Sequence, residues 1–317
     1  MPGILSNNQI PTITPNGLQV VLSALGASDD AVPDNLYDAI IVAIDFEGTQ
    51  HILANKSLNR GVQVGLAILD TRDLTYLSIT AQHCISTYNF AAGPATCNKK
   101  AERQFLFGTT VHITLEDMRA AIEACMPQYR NIILVGHDIN NELIALRNLH
   151  FDFEQFPMDV IDTQWVAKEV GGFPSLQLRR VLQELDCPYE RLHCAGNDAH
   201  FTLRALLLLA ARACAGNEKE EHIRLWEDIA KRPIHPPKDP KKKKKCRPSW
   251  TPQDDIWAEY IREREAVLQQ VPMLPMPYYY PAQPMGDVYM KSVFRENVCT
   301  DEWEVPGLME DVYTEDE

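Results

Sequence analysis

The 317-residue sequence predicts an α/β protein, a mixed five-stranded sheet flanked by helices, with irregular extensions at both ends. Three observations carry that expectation. An unbroken apolar run, Ala39-Ile40-Ile41-Val42-Ala43-Ile44, reads as a buried strand. Two further β-rich runs follow over short connections, which suit an antiparallel meander. From about residue 114 onward, helical periodicity alternates with β-rich segments, the pattern of strands linked by helices.

Residues 1 to 35 form an expected N-terminal extension, with Pro11, Pro15 and Pro33 around a short helix between Leu18 and Leu25. The second strand is Val62-Gln63-Val64-Gly65-Leu66-Ala67-Ile68-Leu69, and the third is expected near Thr75 to Thr80. The stretch from Ser86 to Gly108 reads as a long irregular segment holding Lys99, Lys100 and Arg103: either a flap over a substrate or an ordinary charged surface loop. Thr114-Leu115-Glu116-Asp117 has the form of a helix start, with Met118, Ile122 and Met126 along one face. Asn131-Ile132-Ile133-Leu134-Val135 is a buried strand that delivers Gly136-His137 to its end. A helix beginning at Pro174-Ser175 would turn Leu178, Val181, Leu182 and Leu185 inward. The last core helix holds the apolar stretch from Phe201 to Ala210, and residues 36 to 215 are the expected domain.

Composition narrows the function classes. A hydrophobic share of 45 % supports a genuine core. The net charge of −14 argues against a protein that coats nucleic acid by bulk electrostatics, yet the acid is unevenly placed. Between Pro248 and Glu317 fifteen acidic residues face four basic ones, which leaves the rest close to neutral. The eight cysteines contain no CxxC pair, which argues against a zinc module, and several sit in apolar surroundings as reduced core thiols do, which argues for a reducing compartment. The N-terminus has no charged start followed by an apolar run, and the stretch near Leu206 is too short and interrupted to cross a membrane. An intracellular protein with no membrane partner is the expectation. No GxSxG elbow is present for a serine hydrolase.

The chemistry lies in four acidic segments: Asp45-Phe46-Glu47, Gly136-His137-Asp138-Ile139-Asn140-Asn141-Glu142, Asp162-Thr163, and His193-Cys194-Ala195-Gly196-Asn197-Asp198-Ala199. On a strand, residues i and i+2 share a face, so Asp45 and Glu47 project together. Like charges held side by side repel unless a cation lies between them, as in a two-metal phosphoryl-transfer site. Asp198 opens a helix, and His193 sits on the loop before it, within reach of an attacking water.

This ordered set resembles the DEDDh-type 3′–5′ exonucleases of the ribonuclease H-like superfamily, over roughly residues 36 to 215. The phrase from His193 to Ala199 is most similar to a fungal branch of that family. The resemblance implies that Asp45 bridges two divalent cations, Mg²⁺ or Mn²⁺, that Glu47 and Asp198 complete the shell of the catalytic one, and that His193 is the general base. The fourth carboxylate falls at Glu142, where the family pattern has Asp, and Asp138 one helical turn away is a possible substitute. Two functions follow: an exonuclease releasing nucleoside 5′-monophosphates from the 3′ end of RNA or DNA, or a catalytically weakened exonuclease fold serving as a nucleic-acid or protein-binding scaffold. His200 and Cys194 are expected to be packing or loop residues.

Residues 216 to 247 read as a helical and basic linker ending in the run Lys241 to Lys245, a nuclear-localisation candidate, a nucleic-acid arm or a solubilising linker. The location is therefore nucleus or cytoplasm. Residues 248 to 317 form an acidic tail, with a segment around Tyr278-Tyr279-Tyr280-Pro281 suited to docking a protein partner.

Overall fold

The computed structural model describes residues 9–27, 38–53, 61–74, 84–126, 130–156, 158–216 and 220–235. The expected strand at 75–80, the lysine run and the acidic tail lie outside the described residues.

Strand β1 (Ala39–Glu47) runs antiparallel to β2 (Val62–Asp70), which runs antiparallel to β3 (Ile85–Ala92). The short β4 (Val111–His112) pairs parallel to β3. On the other side of β1, β5 (Asn131–Gly136) and β6 (Met158–Asp162) add in parallel, giving the order β4-β3-β2-β1-β5-β6. The described sheet is therefore mixed and six-stranded rather than five-stranded. The added strand is two residues long, too short to leave a periodic signal in the sequence.

The strand that completes the meander is Ile85–Ala92, inside the segment expected to be irregular. Its buried polar residues Thr87 and Asn89 interrupt an otherwise β-prone run of Ile85, Tyr88 and Phe90 and hide it from a hydrophobicity reading. Most of the rest of that segment, Ala95 to Gln104, is helical rather than irregular.

The helices are α1 (Gly17–Ala24), α2 (Gln50–Leu53), α3 (Ala95–Gln104), α4 (Leu115–Cys125), α5 (Asn140–Asn148), α6 (Thr163–Val170), α7 (Leu178–Glu184), α8 (Ala195–Ala213) and α9 (Glu220–Ala230). Helix α4 starts where the sequence predicts: Thr114 Oγ1 accepts the Asp117 N–H, and Met118, Ile122 and Met126 are buried. Helix α7 begins at Leu178, later than expected, and buries Val181 and Leu182.

Both faces of β1 are covered, which explains its continuous apolar run. Ala39, Ile41 and Ala43 face the core that α8 shares with Ala67, Leu69, Ile133 and Val135 of the neighbouring strands. Ile40, Val42 and Ile44 are buried on the opposite face, where α4 packs on β2 and β3 and α5 on β1. Helix α8 is buried through most of its length because it lies between the sheet and α6, α7, α9 and α1. Val21 and Ala24 of α1 and Trp226, Ile229 and Ala230 of α9 belong to the same core.

Parity now places the acids. Asp45 and Glu47 continue the alternation of Ile41 and Ala43, so they emerge on the α8 face at the end of β1.

Candidate active site

The site is built on one row of the sheet. Asp45 is opposite Gly65 on β2, and Gly65 is opposite Asn89 on β3. A Cβ at Gly65 would lie 2.0 Å from the carbonyl oxygen of Ala195, so only glycine lets the first turn of α8 rest on the sheet there. Asn89 Oδ1 accepts the Gly196 N–H at 3.0 Å, satisfying one of the donors a helix start leaves open, while Asn89 Nδ2 donates to Thr110 Oγ1 at 2.9 Å. Gly196 is also forced, because a Cβ there would meet the Phe105 ring at 2.6 Å and Asn89 at 2.8 Å.

Asn197 fastens the same turn sideways. Its Oδ1 accepts the Leu106 N–H at 3.0 Å, and its Nδ2 donates to the carbonyls of Gln104 and Arg191, each at 2.9 Å. Asn197 and Asn89 are both fully buried. The residues between His193 and Asp198 are thereby accounted for by packing and hydrogen bonding rather than by direct chemistry. The importance of Asn89 had no signal in the sequence, since its partner lies 107 residues away.

These anchors bring Asp198 to Asp45. Asp198 Oδ2 reaches back to accept the His193 N–H at 2.9 Å, while its Oδ1 is sealed from solvent with no hydrogen-bond partner. Asp45 is partly open as a residue, but its Oδ2 is likewise sealed and unpartnered. Glu142, in the first turn of α5, is buried with Oε2 in the same condition. Three orphaned carboxylate oxygens on three separate elements are costly without a counter-charge.

Their proton affinities reflect that cost. Burial, followed by the charges of Asp198, Glu142 and Glu47, holds the Asp45 carboxyl well above its ordinary range. Burial pushes Glu142 up to about 8, with Asp138, Asp162 and Glu47 adding to it. Burial likewise lifts Asp198 to about 7, partly offset by the hydrogen bond from His193. Glu47 is raised by burial and pulled back by His193 and Lys100.

Glu47, His193 and Asp198 each offer a donor atom, all within 4.8 Å of one another, a group that could hold a metal ion. His193 Nδ1 is 3.7 Å from Glu47 Oε1, and the His193 side chain is 80 % exposed. Its backbone is left-handed at φ 69°, as is that of Arg191 at φ 47°, so the loop entering α8 is bent into a shape that non-glycine residues adopt rarely. The structure thus brings together Asp45, Glu47, Glu142, Asp198 and His193. It leaves Asp138 exposed, its charge acting on Glu142.

The remaining acidic segment is structural. Asp162 is buried and accepts N–H groups from Gln164, Asp138 and Ile139, capping α6 and the turn into α5 together. His137 spans Thr163 Oγ1 at 2.8 Å and the Leu176 carbonyl at 2.7 Å. Burial lowers its proton affinity below the usual histidine range, and Nε2–H donates to the Leu176 carbonyl, which can only accept. His200 packs as expected: it stacks on Phe107, bonds Thr87 through Nδ1 and accepts from Arg204 through Nε2. Cys194 is fully buried.

Comparison with known proteins agrees with this geometry. No curated protein matches the chain. A family profile described as DEDDh_C, DNA polymerase III subunit epsilon-like, C-terminal domain, matches residues 40–209, which include every residue of the acidic cluster and more than half of the chain. The chain belongs to this DEDDh exonuclease family.

Proposed function

We propose that this protein is a metal-dependent 3′–5′ exonuclease that hydrolyses RNA or DNA to nucleoside 5′-monophosphates. The observation that carries the reading is the set of three sealed, unpartnered carboxylate oxygens on Asp45, Glu142 and Asp198. An all-oxygen donor set with one histidine beside it suits Mg²⁺ or Mn²⁺. Asp45, Glu47, Asp198 and Glu142 are the residues that would hold two such ions. When bound, divalent cations neutralise the carboxylates, acidify the attacking water and stabilise the leaving oxygen.

The chain's own residues supply the remaining steps. Water attacks phosphorus in line with the leaving 3′ oxygen, a P–O bond forms, and the P–O3′ bond breaks. The proton from water passes to the His193 imidazole. Glu47, 3.7 Å from Nδ1, stabilises the resulting imidazolium. The released 3′ oxygen takes a proton from solvent. Glu142 stands where the family pattern has Asp, and its burial beside Asp45 supports its serving as the fourth carboxylate. The likeness to a fungal branch rests on the phrase from His193 to Ala199. The acidic tail as a docking segment and a nuclear or cytoplasmic location belong to the same reading. Among the described residues no helix is long and apolar enough to cross a membrane.

The test is incubation with 5′-labelled single-stranded RNA and DNA in Mg²⁺ or Mn²⁺, beside an Asp45→Asn control. A ladder shortening from the 3′ end, absent in the control, is the expected result and identifies the preferred sugar. Absence of cleavage of both polymers under both ions would instead favour the scaffold reading, with Glu142 as the altered residue.

A further inference from the structure

Helix α3 is tied to the site from two sides. At its C-terminal end, Asn197 of α8 binds the Gln104 carbonyl and the Leu106 N–H, and Arg191 Nη1 donates to the Arg103 carbonyl at 2.8 Å. Toward its start, Cys97 abuts Gly61, where an added Cβ would sit 2.7 Å from Cys97 Cβ. The Gly61 carbonyl in turn lies against Gly48, the residue after Glu47. Helix α3 therefore stands beside both the Glu47 end of β1 and the His193 loop.

Its outward residues are cationic. Lys99, Lys100 and Arg103 are exposed, and their side chains enter no ion pair among the described residues. Lys99 and Arg103 are four residues apart and Lys100 and Arg103 three apart, so the three charges share a stripe. Lys100 is close enough for its charge to be felt at Glu47. Glu102 is the one acid on the helix. Bound cations offset the four carboxylates only at the site itself, so the further phosphates of a strand gain from a cationic wall beside it.

We infer that the exposed stripe Lys99, Lys100 and Arg103 on α3 is the docking track for the phosphate backbone of a single-stranded nucleic acid whose 3′ end enters the acidic site. This rests on the nuclease reading for the direction of the strand, and on the placement of α3 for the track itself. Lysines and an arginine that meet phosphates rather than base edges position a backbone and read no sequence, so the track is indifferent to sequence.

The experiment measures binding and cleavage separately. Full-length Asp45→Asn protein is titrated into a fluorescein-labelled twelve-nucleotide single strand across a salt series. It is compared with the same protein carrying K99A, K100A and R103A. Removing three phosphate contacts should weaken binding at least about tenfold at low salt and flatten the log–log salt slope by about 2. Lysine-to-arginine exchange at 99 and 100 should leave both quantities near the parent's, and a chain carrying K99Q, K100Q and R103Q, which should show the same losses as the alanine variant, serves if that variant does not fold. Unchanged affinity and slope, or no binding by the parent protein at low salt, overturn the track. Cleavage by the wild-type chain is followed in parallel. Cleavage with binding indifferent to α3 sinks this inference and leaves the nuclease reading standing; α3-dependent binding without cleavage does the reverse.

Discussion

Asn89 on β3 accepts the Gly196 N–H at 3.0 Å and, together with the hydrogen bonds of Asn197, seats the first turn of α8 over Gly65, opposite Asp45. The carboxylate of Asp198, proposed above as a site residue, is two residues further along the same turn. The position of this proposed metal ligand therefore depends on an uncharged amide two strands away from Asp45.

Gly65→Ala should disable the site without touching an acid. The new Cβ would overlap the Ala195 carbonyl, which is backbone and cannot swing aside. The first turn of α8 must lift, at a cost of about 1–3 kcal/mol. Thermal melting should show that loss, and Mn²⁺-dependent cleavage should fall by at least about a hundredfold because Asp198 has moved.

Asp45→Asn should abolish hydrolysis while raising the melting temperature in chelator. The substitution removes a buried charge that Asp198, Glu142 and Glu47 all oppose. Mn²⁺ should then stabilise the variant less than the wild type. Turnover preserved in this variant contradicts the assignment of Asp45.

The metal-free protein should lose stability as pH rises. Asp198 and Glu142 titrate at about 7 and about 8 in the folded chain, against ordinary values near 4. The folded state thus binds more protons than the unfolded one between those limits. The stability gained is complete below pH 4 and disappears as pH passes through 7 to 8. In chelator, the melting temperature should drop by on the order of 10 °C between pH 5 and pH 8.5. Saturating Mn²⁺ should flatten that slope, because a bound cation stabilises the ionised carboxylates. A melting temperature independent of pH in chelator contradicts the buried acidic cluster.

His193→Ala separates two roles for the histidine. As general base, its loss should lower kcat by about 10²–10⁴ while the Mn²⁺-induced melting shift persists. Its ring also falls within the group that could ligate a metal. If the melting shift vanishes together with activity, His193 is a ligand.

Glu142→Asp and Glu142→Ala decide what the longer side chain does. A working fourth carboxylate predicts that the alanine variant loses about a hundredfold in activity and that the aspartate variant keeps most of it. Equal activity in all three proteins would mean that Glu142 has left the reaction.

Much of this was legible in the chain. The apolar run from Ala39 to Ile44 is continuous because β1 is covered on both faces, and that requirement writes itself directly into residue choice. The start of α4 at Thr114 was equally readable, since a helix cap is a contact over three residues. Asp45, Glu47, His193 and Asp198 stood out as an ordered set, because the His193 to Asp198 spacing is far more specific than a pair of acids at a strand end. The strand Ile85–Ala92 and the helix Ala95–Gln104 were missed. Thr87 and Asn89 look like loop residues until His200 and Gly196, more than a hundred positions away, use their polar atoms.

By itself, the sequence determined the identity of the acidic cluster, the alternation that turns Asp45 and Glu47 to one face, and the helix that carries Asp198. Those are local properties, set by the two-residue period of a strand and the composition of a helix. Only the tertiary structure decided that the charge of Glu142 acts on Asp45, that Asp162 caps two turns, and that α3 stands beside the site. Each of these depends on which elements share a row of the sheet, and that follows from packing the whole core rather than from any one segment.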